Sequence, residues 1–255
     1  MKKGLDLSCQ APVVGLPPFP APMKKPPFVV KERFFSRLAV HYFVFLYVSL
    51  CTLLQTYPNV EIQFYNVADL NLKYCVGCCK CYKNGKCIFN DDIEKLSENI
   101  ETADGIIIGS PTYASNISGQ MKVIIDRGHF VIEQLLFGKY AISISTYENY
   151  GGKDTAKILN KLFCYSGAAI SKSLAIKTPF SSNPFSNPKI HNIVNKATDK
   201  FYKDIYRQKT YLYQKMKHFI IFRFGILPFV TKKGNEYQGV IAKWKKHSIK
   251  NRKII

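Results

Sequence analysis

A chain of 255 residues, 47% of them hydrophobic, has enough apolar side chains for an ordinary globular core, which excludes global disorder and allows one large domain with extensions. The net charge of +20 is concentrated at the ends: residues 196–255 hold sixteen Lys/Arg against three Asp/Glu, and residues 1–37 hold seven against two. The middle is close to neutral, which argues against a nucleic-acid-binding core and for a domain with cationic appendages.

Residues 1–30 are Pro-rich and aperiodic, and they read as an irregular tail without a signal-peptide pattern. Residues 38–54 are apolar nearly all round. That run is near the lower end of the about 17–25 residues that span a bilayer, so it reads either as a membrane anchor or as a buried helix. The positive-inside rule would export everything after the span, putting a cysteine cluster on the oxidising side, and this favours the buried helix. From residue 57 the pattern becomes regular. Residues 60–67 alternate as a strand, 92–102 form an amphipathic helix, and 105–109 are an all-apolar strand. A helix at 118–131, a strand at 140–146, a helix at 154–165 and a strand at 168–176 follow. Strands alternating with helices imply a parallel α/β sheet. Residues 189–217 read as one long basic amphipathic helix, and 218–255 are aromatic and basic around the sole Trp244. The division expected is a tail at 1–30, an α/β domain at 31–190 that opens with a divergent helix at 31–56, and a basic helical extension at 191–255.

Five of the eight cysteines lie within thirteen residues, as Cys75-Val-Gly-Cys78-Cys79-Lys-Cys81 and then Cys87. A tight cluster in a chain of this size points to a metal or redox site in a reducing compartment rather than to a disulfide scaffold. Cys75, Cys78, Cys81 and Cys87 have the single-loop spacing that suits a [4Fe–4S] cluster; four-thiolate zinc and unmetallated thiols are the other readings. A second site follows at the carboxyl end of strand 105–109, where open α/β sheets bind ligands. Residues 110–119 and 145–152 are rich in hydroxyls, aromatics and glycine. Two such loops side by side suit a flat aromatic ligand with polar edges, such as a flavin; ordinary turns are the plainer reading. The five histidines are dispersed, and no nucleophile–base pair is evident.

The run Ala103-Asp-Gly-Ile-Ile-Ile-Gly-Ser-Pro-Thr-Tyr113, with Ser118-Gly-Gln-Met-Lys122 and Ile125-Asp-Arg127 after the cysteine block, resembles flavodoxin-like NAD(P)H-dependent FMN reductases and their iron–sulfur flavoprotein branch. The resemblance covers residues 55–190. It implies an open parallel sheet with helices on both faces, FMN bound non-covalently and NAD(P)H as co-substrate. It places Ser110, Pro111, Thr112, Tyr113 and Asn116 on one side of the flavin ring and Thr146, Tyr147, Glu148, Gly151 and Gly152 on the other. It also implies a [4Fe–4S] cluster on Cys75, Cys78, Cys81 and Cys87. Asp126-Arg127 reads as a structural helix-end ion pair. A NAD(P)H or ferredoxin-like donor, a small-molecule acceptor, a homo-oligomer and a cytoplasmic setting are expected, with no nucleic-acid partner. The family's opening strand and Ser/Thr/Gly-rich phosphate loop have no counterpart in residues 1–58, so the first strand is missing or replaced, with 28–30 or part of 40–50 as stand-ins. That gap supports a rival reading: a non-catalytic, membrane-associated remnant of the fold with impaired FMN binding, held through 38–54 and the basic tail.

Overall fold

A computed structural model describes residues 28–31 (backbone only), 50–51, 53–178 and 187–247. The chain builds strand β1 (Phe28–Lys31), helical residues 50–55 around the undescribed residue 52, strand β2 (Gln63–Asn66) and the short helix α1 (Lys80–Asn84). Next come α2 (Ile93–Thr102), β3 (Gly105–Pro111), α3 (Gly119–Arg127), β4 (Tyr140–Tyr147), α4 (Gly152–Ser166) and β5 (Ala169–Lys177). The C-terminal part contains α5 (Pro188–Tyr206), α6 (Leu212–Ile221), a π turn (Phe222–Ile226), α7 (Leu227–Lys233) and α8 (Gln238–Lys246).

All five strands are parallel, in the order β2-β1-β3-β4-β5. This is the flavodoxin-like doubly wound order, with its switch point between β1 and β3. The first strand is therefore present. Phe28–Lys31, at the end of the segment expected to be an irregular tail, lies between β2 and β3 with Phe28 opposite both Gln63 and Ile106. The segment that would follow it as a phosphate loop, 32–49, lies outside the described residues, as do residues 38–49 of the apolar run.

Alternation along β3 sends Ile106 and Ile108 to one face and Ile107 to the other, so the strand is buried on both sides. On the first face, Ile93, Leu96 and Ile100 of α2, Met121 and Ile124 of α3, and Leu159 and Phe163 of α4 close one core. On the second, Leu50 and Leu54 pack with Val194, Ala197 and Phe201 of α5. The described end of the apolar run is thus core. No helix among the described residues is long and apolar enough to cross a membrane.

The long basic helix expected at 189–217 is two helices. The break falls at residues 207–211, where Gln208 adopts a left-handed φ of 48° and Lys209 N–H reaches back to Asp204 O at 2.9 Å. The aromatic C-terminal stretch forms a third, smaller core of Phe222, Ile226, Val230, Tyr237, Val240 and Trp244, closed by Tyr82, Ile132 and Phe137.

Candidate flavin site and cysteine loop

The loops after β3 and β4 meet at the carboxyl edge of the sheet. Thr112 N–H donates to Thr146 O at 2.8 Å, tying the start of the first loop to the end of β4. The loop then reverses through Tyr113 and Asn116, which exchange backbone hydrogen bonds of 3.1 and 2.9 Å across Ala114 and Ser115. Both central residues have left-handed φ values, 47° and 60°, the geometry of a two-residue hairpin turn. Ser118 caps α3 by accepting from Met121 N–H at 3.2 Å, and its own N–H donates to Ser110 Oγ at 2.9 Å.

The second loop is held the same way. Ser145 Oγ–H donates to Gly152 O at 2.6 Å. Gly151 begins α4 at φ 82°, and a Cβ there would stand 2.5 Å from Ser115 Oγ and 2.7 Å from Ser115 Cα. Only glycine lets the two loops touch at this point.

The ten residues expected around the ring are therefore brought together, in two tiers. Ser110, Pro111, Thr146 and Gly152 are buried at the strand ends and hold the loops. The Ser110 hydroxyl is used internally, accepting from Ser118 and donating to Pro111 O at 2.9 Å. Thr112, Tyr113, Asn116, Tyr147, Glu148 and Gly151 form the accessible rim. Thr112 Oγ1 is buried and has no hydrogen-bond partner among the described residues. A buried unpartnered hydroxyl is uncommon, and this one belongs to the loop that the resemblance assigns to the flavin. Donor chemistry, the glycine-permitted contact and the orphaned hydroxyl all fit a flavin. Tyr150, exposed at the tip of the second loop, is a rim residue that sequence reasoning did not single out.

The cysteine loop lies elsewhere, against α2, the end of α3 and α8. Cys75, Cys78 and Cys79 are exposed, Cys87 is half-buried, and Cys81 is buried in α1. Burial pushes the Cys81 thiol up to about 11, so it stays protonated in this arrangement. Among the described residues no three ligating side chains converge on one point. Cys78 and Cys87 lie near enough to Cys81 to act on its thiol electrostatically, so three of the four cysteines expected to hold a cluster share one neighbourhood.

Arg127 fastens this loop. Its guanidinium is buried and pairs with both Asp91 oxygens at 2.9 Å, donates to Cys87 Sγ at 3.3 Å and reaches Lys73 O. Burial works against the Asp91 carboxylate, but hydrogen bonds from Arg127 and from Lys73 N–H outweigh it and hold its pKa below the usual range. The expected Asp126-Arg127 ion pair is not formed. Asp126 pairs with Lys122 one helical turn back, because neighbouring residues on a helix do not face each other.

The sheet order and the paired loops define a flavodoxin-like protein with a candidate flavin crevice at the carboxyl edge of its sheet. The chain belongs to the NADPH-dependent FMN reductase family, whose profile matches residues 47–179. An iron–sulfur flavoprotein of Clostridioides difficile is 36% identical over 194 residues, spanning 75% of this chain and 86% of that one. An iron–sulfur flavoprotein of Methanocaldococcus jannaschii is 32% identical over 110 residues, 41% of this chain and 56% of that one. Among solved structures, RosB with a bound formylated flavin-phosphate intermediate superposes with a TM-score of 0.53 at 12% identity, covering 91% of this chain and 89% of that one. An oxidoreductase from Corynebacterium diphtheriae superposes with a TM-score of 0.51 at 10% identity, covering 73% and 98%. At these identities the two structures show the fold alone.

Proposed function

We propose that the chain is an NAD(P)H-dependent FMN reductase that binds FMN in the crevice at the carboxyl ends of β1, β3 and β4 and passes electrons to a small acceptor. The observation that carries this is the meeting of the 112–118 and 146–152 loops, with Gly151 against Ser115 and the Thr112 hydroxyl left to be satisfied. When bound, FMN accepts a hydride from NAD(P)H and passes electrons on. The chain's own part is positioning. Thr112 would hydrogen-bond a polar edge of the ring, Tyr113 and Tyr147 would flank it and shield it from water, and Asn116 and Glu148 would line its rim. A ferredoxin-like protein is the alternative donor, a cytoplasmic setting is part of the proposal, and a homo-oligomer would complete the exposed side of the flavin.

A [4Fe–4S] cluster on Cys75, Cys78, Cys81 and Cys87 is a separate proposal, supported by the cysteine spacing and by the names of the relatives. The remnant reading is not favoured, because the chain belongs to the reductase family and a strand occupies the β1 position.

The test is FMN titration of the purified apoprotein with NADPH-oxidation assays, on the wild type and on Thr112→Val. One FMN per chain and NADPH turnover are expected, with affinity about tenfold weaker in the variant, the value of one buried hydrogen bond. No FMN binding by the wild type would overturn the proposal.

A further inference from the structure

The flavin site leaves one surface unused. α6, the π turn and α7 run without interruption from Leu212 to Lys233. The inward face of this rod is a row spaced by four, His218, Phe222, Ile226 and Val230, all buried. Out of phase with it by two residues is a second row, Leu212, Met216, Ile220 and Phe224, which are 69, 54, 55 and 72% exposed. A spacing of four keeps side chains on one face of a helix, and an offset of two places them on the face opposite. The wider π turn keeps Phe224 in line with Ile220. The next position, Pro228, is also exposed, and Tyr213 and Phe229 flank the row. A helix packed on a core normally presents polar residues along this face. Single exposed apolar side chains are ordinary, whereas a continuous row of large ones marks a contact surface.

Charge selects the occupant. Residues 207–247 contain ten Lys/Arg and one acidic residue, Glu236. Lys209, Lys217, Arg223, Lys232 and Lys233 are exposed along or at the ends of the same rod. A second copy would bring like charges together at this face. An anionic lipid surface meets both requirements, accepting apolar and aromatic side chains among its headgroups and attracting the lysines around them.

We propose that the outer face of the 212–233 rod docks on anionic membrane, lying in the plane of the interface. The proposal concerns a surface separate from the flavin loops and does not depend on how the flavin is used. The test is flotation of the full-length protein with vesicles of phosphatidylcholine alone or mixed with phosphatidylglycerol. The mixed vesicles are expected to bind at least about tenfold more tightly, and raised salt to weaken the binding. Ile220→Glu with Phe224→Glu should lower binding at least about tenfold while leaving circular dichroism unchanged, because both residues face solvent. If that pair misfolds, Lys217→Gln with Arg223→Gln supplies the same comparison through charge alone. Equal binding to both vesicle types, no binding, or binding unchanged in the variants would overturn the proposal. So would self-association that the Ile220 and Phe224 substitutions abolish while vesicles stay unbound, which would make a second copy the occupant.

Discussion

Arg127 is buried with Asp91 as its counter-ion, and together they fix both ends of the cysteine loop, at Lys73 and at Cys87. Arg127→Met would leave Asp91 uncompensated and should cost about 3–5 kcal/mol in urea denaturation. The double substitution with Asp91→Asn should recover part of that loss, since no buried charge is left alone. A single variant within about 1 kcal/mol of wild type would show that the pair does not hold the loop. His218 is a second buried polar group, donating from Nε2 to Gln134 Oε1 at 2.6 Å. Burial lowers its pKa from 6.5 to about 4. The unfolded chain therefore takes up a proton before the folded one, and stability should fall as pH drops from about 6.5 to about 4 and level off below that. Denaturation midpoints across that window should show the slope, and His218→Gln should flatten it. The sequence showed the charges at 126 and 127 but not the partner of Arg127, because that partner lies 36 residues away in the chain.

At the scale of elements, the C-terminal helices are part of the cysteine loop's environment. α8 lies backbone to backbone on the turn after α1: a Cβ on Gly239 would stand 2.2 Å from Gly85 N and 2.9 Å from Lys83 O. Tyr82 stacks on Tyr237 at 4.8 Å, Trp244 Nε1–H donates to Ile132 O at 3.0 Å, and Lys243 pairs with the buried Glu133 at 2.6 Å. Trp244→Ala should destabilise by about 3–5 kcal/mol and release α8. Cys81, now buried, should then react with iodoacetamide at a rate closer to those of the exposed Cys75, Cys78 and Cys79. Mass spectrometry of the labelled peptides measures this, and an unchanged Cys81 rate would separate α8 from the loop. Little of this arrangement was legible. The stretch around Trp244 read only as aromatic and basic, and the four-residue spacing of Val240 and Trp244 was a weak sign of a packed face. The break at 207–211 carries no Gly or Pro and was read as continuous helix. By contrast β3, α3, β4, α4 and β5 were legible within a few residues, because apolar runs and helical periodicity agree along that stretch.

For the molecule as a whole, strand order decides the reading. The sequence offered 28–30 as one of two stand-ins for the first strand and did not choose between them, because β1 is four residues long and follows a Pro-rich run without the glycine loop that usually announces it. The two loops proposed to hold the flavin were visible in the sequence as loops, since their small and aromatic residues follow two clear strands. Their contact through Gly151 and Ser115 was not, because 36 residues separate the two positions and only the parallel register of β3 with β4 brings them together. The cysteine spacing was legible as a candidate metal or redox site, and the fold places Cys81 and Cys87 beside the buried Arg127–Asp91 pair and α8. The account depends most on the loops at the sheet edge holding FMN. The direct measurement is reconstitution of the full-length protein with FMN, followed by desalting and an absorption spectrum before and after addition of NADPH. The account predicts about one retained FMN per chain, with an oxidised-flavin band that bleaches on NADPH addition. A protein that emerges colourless would contradict it.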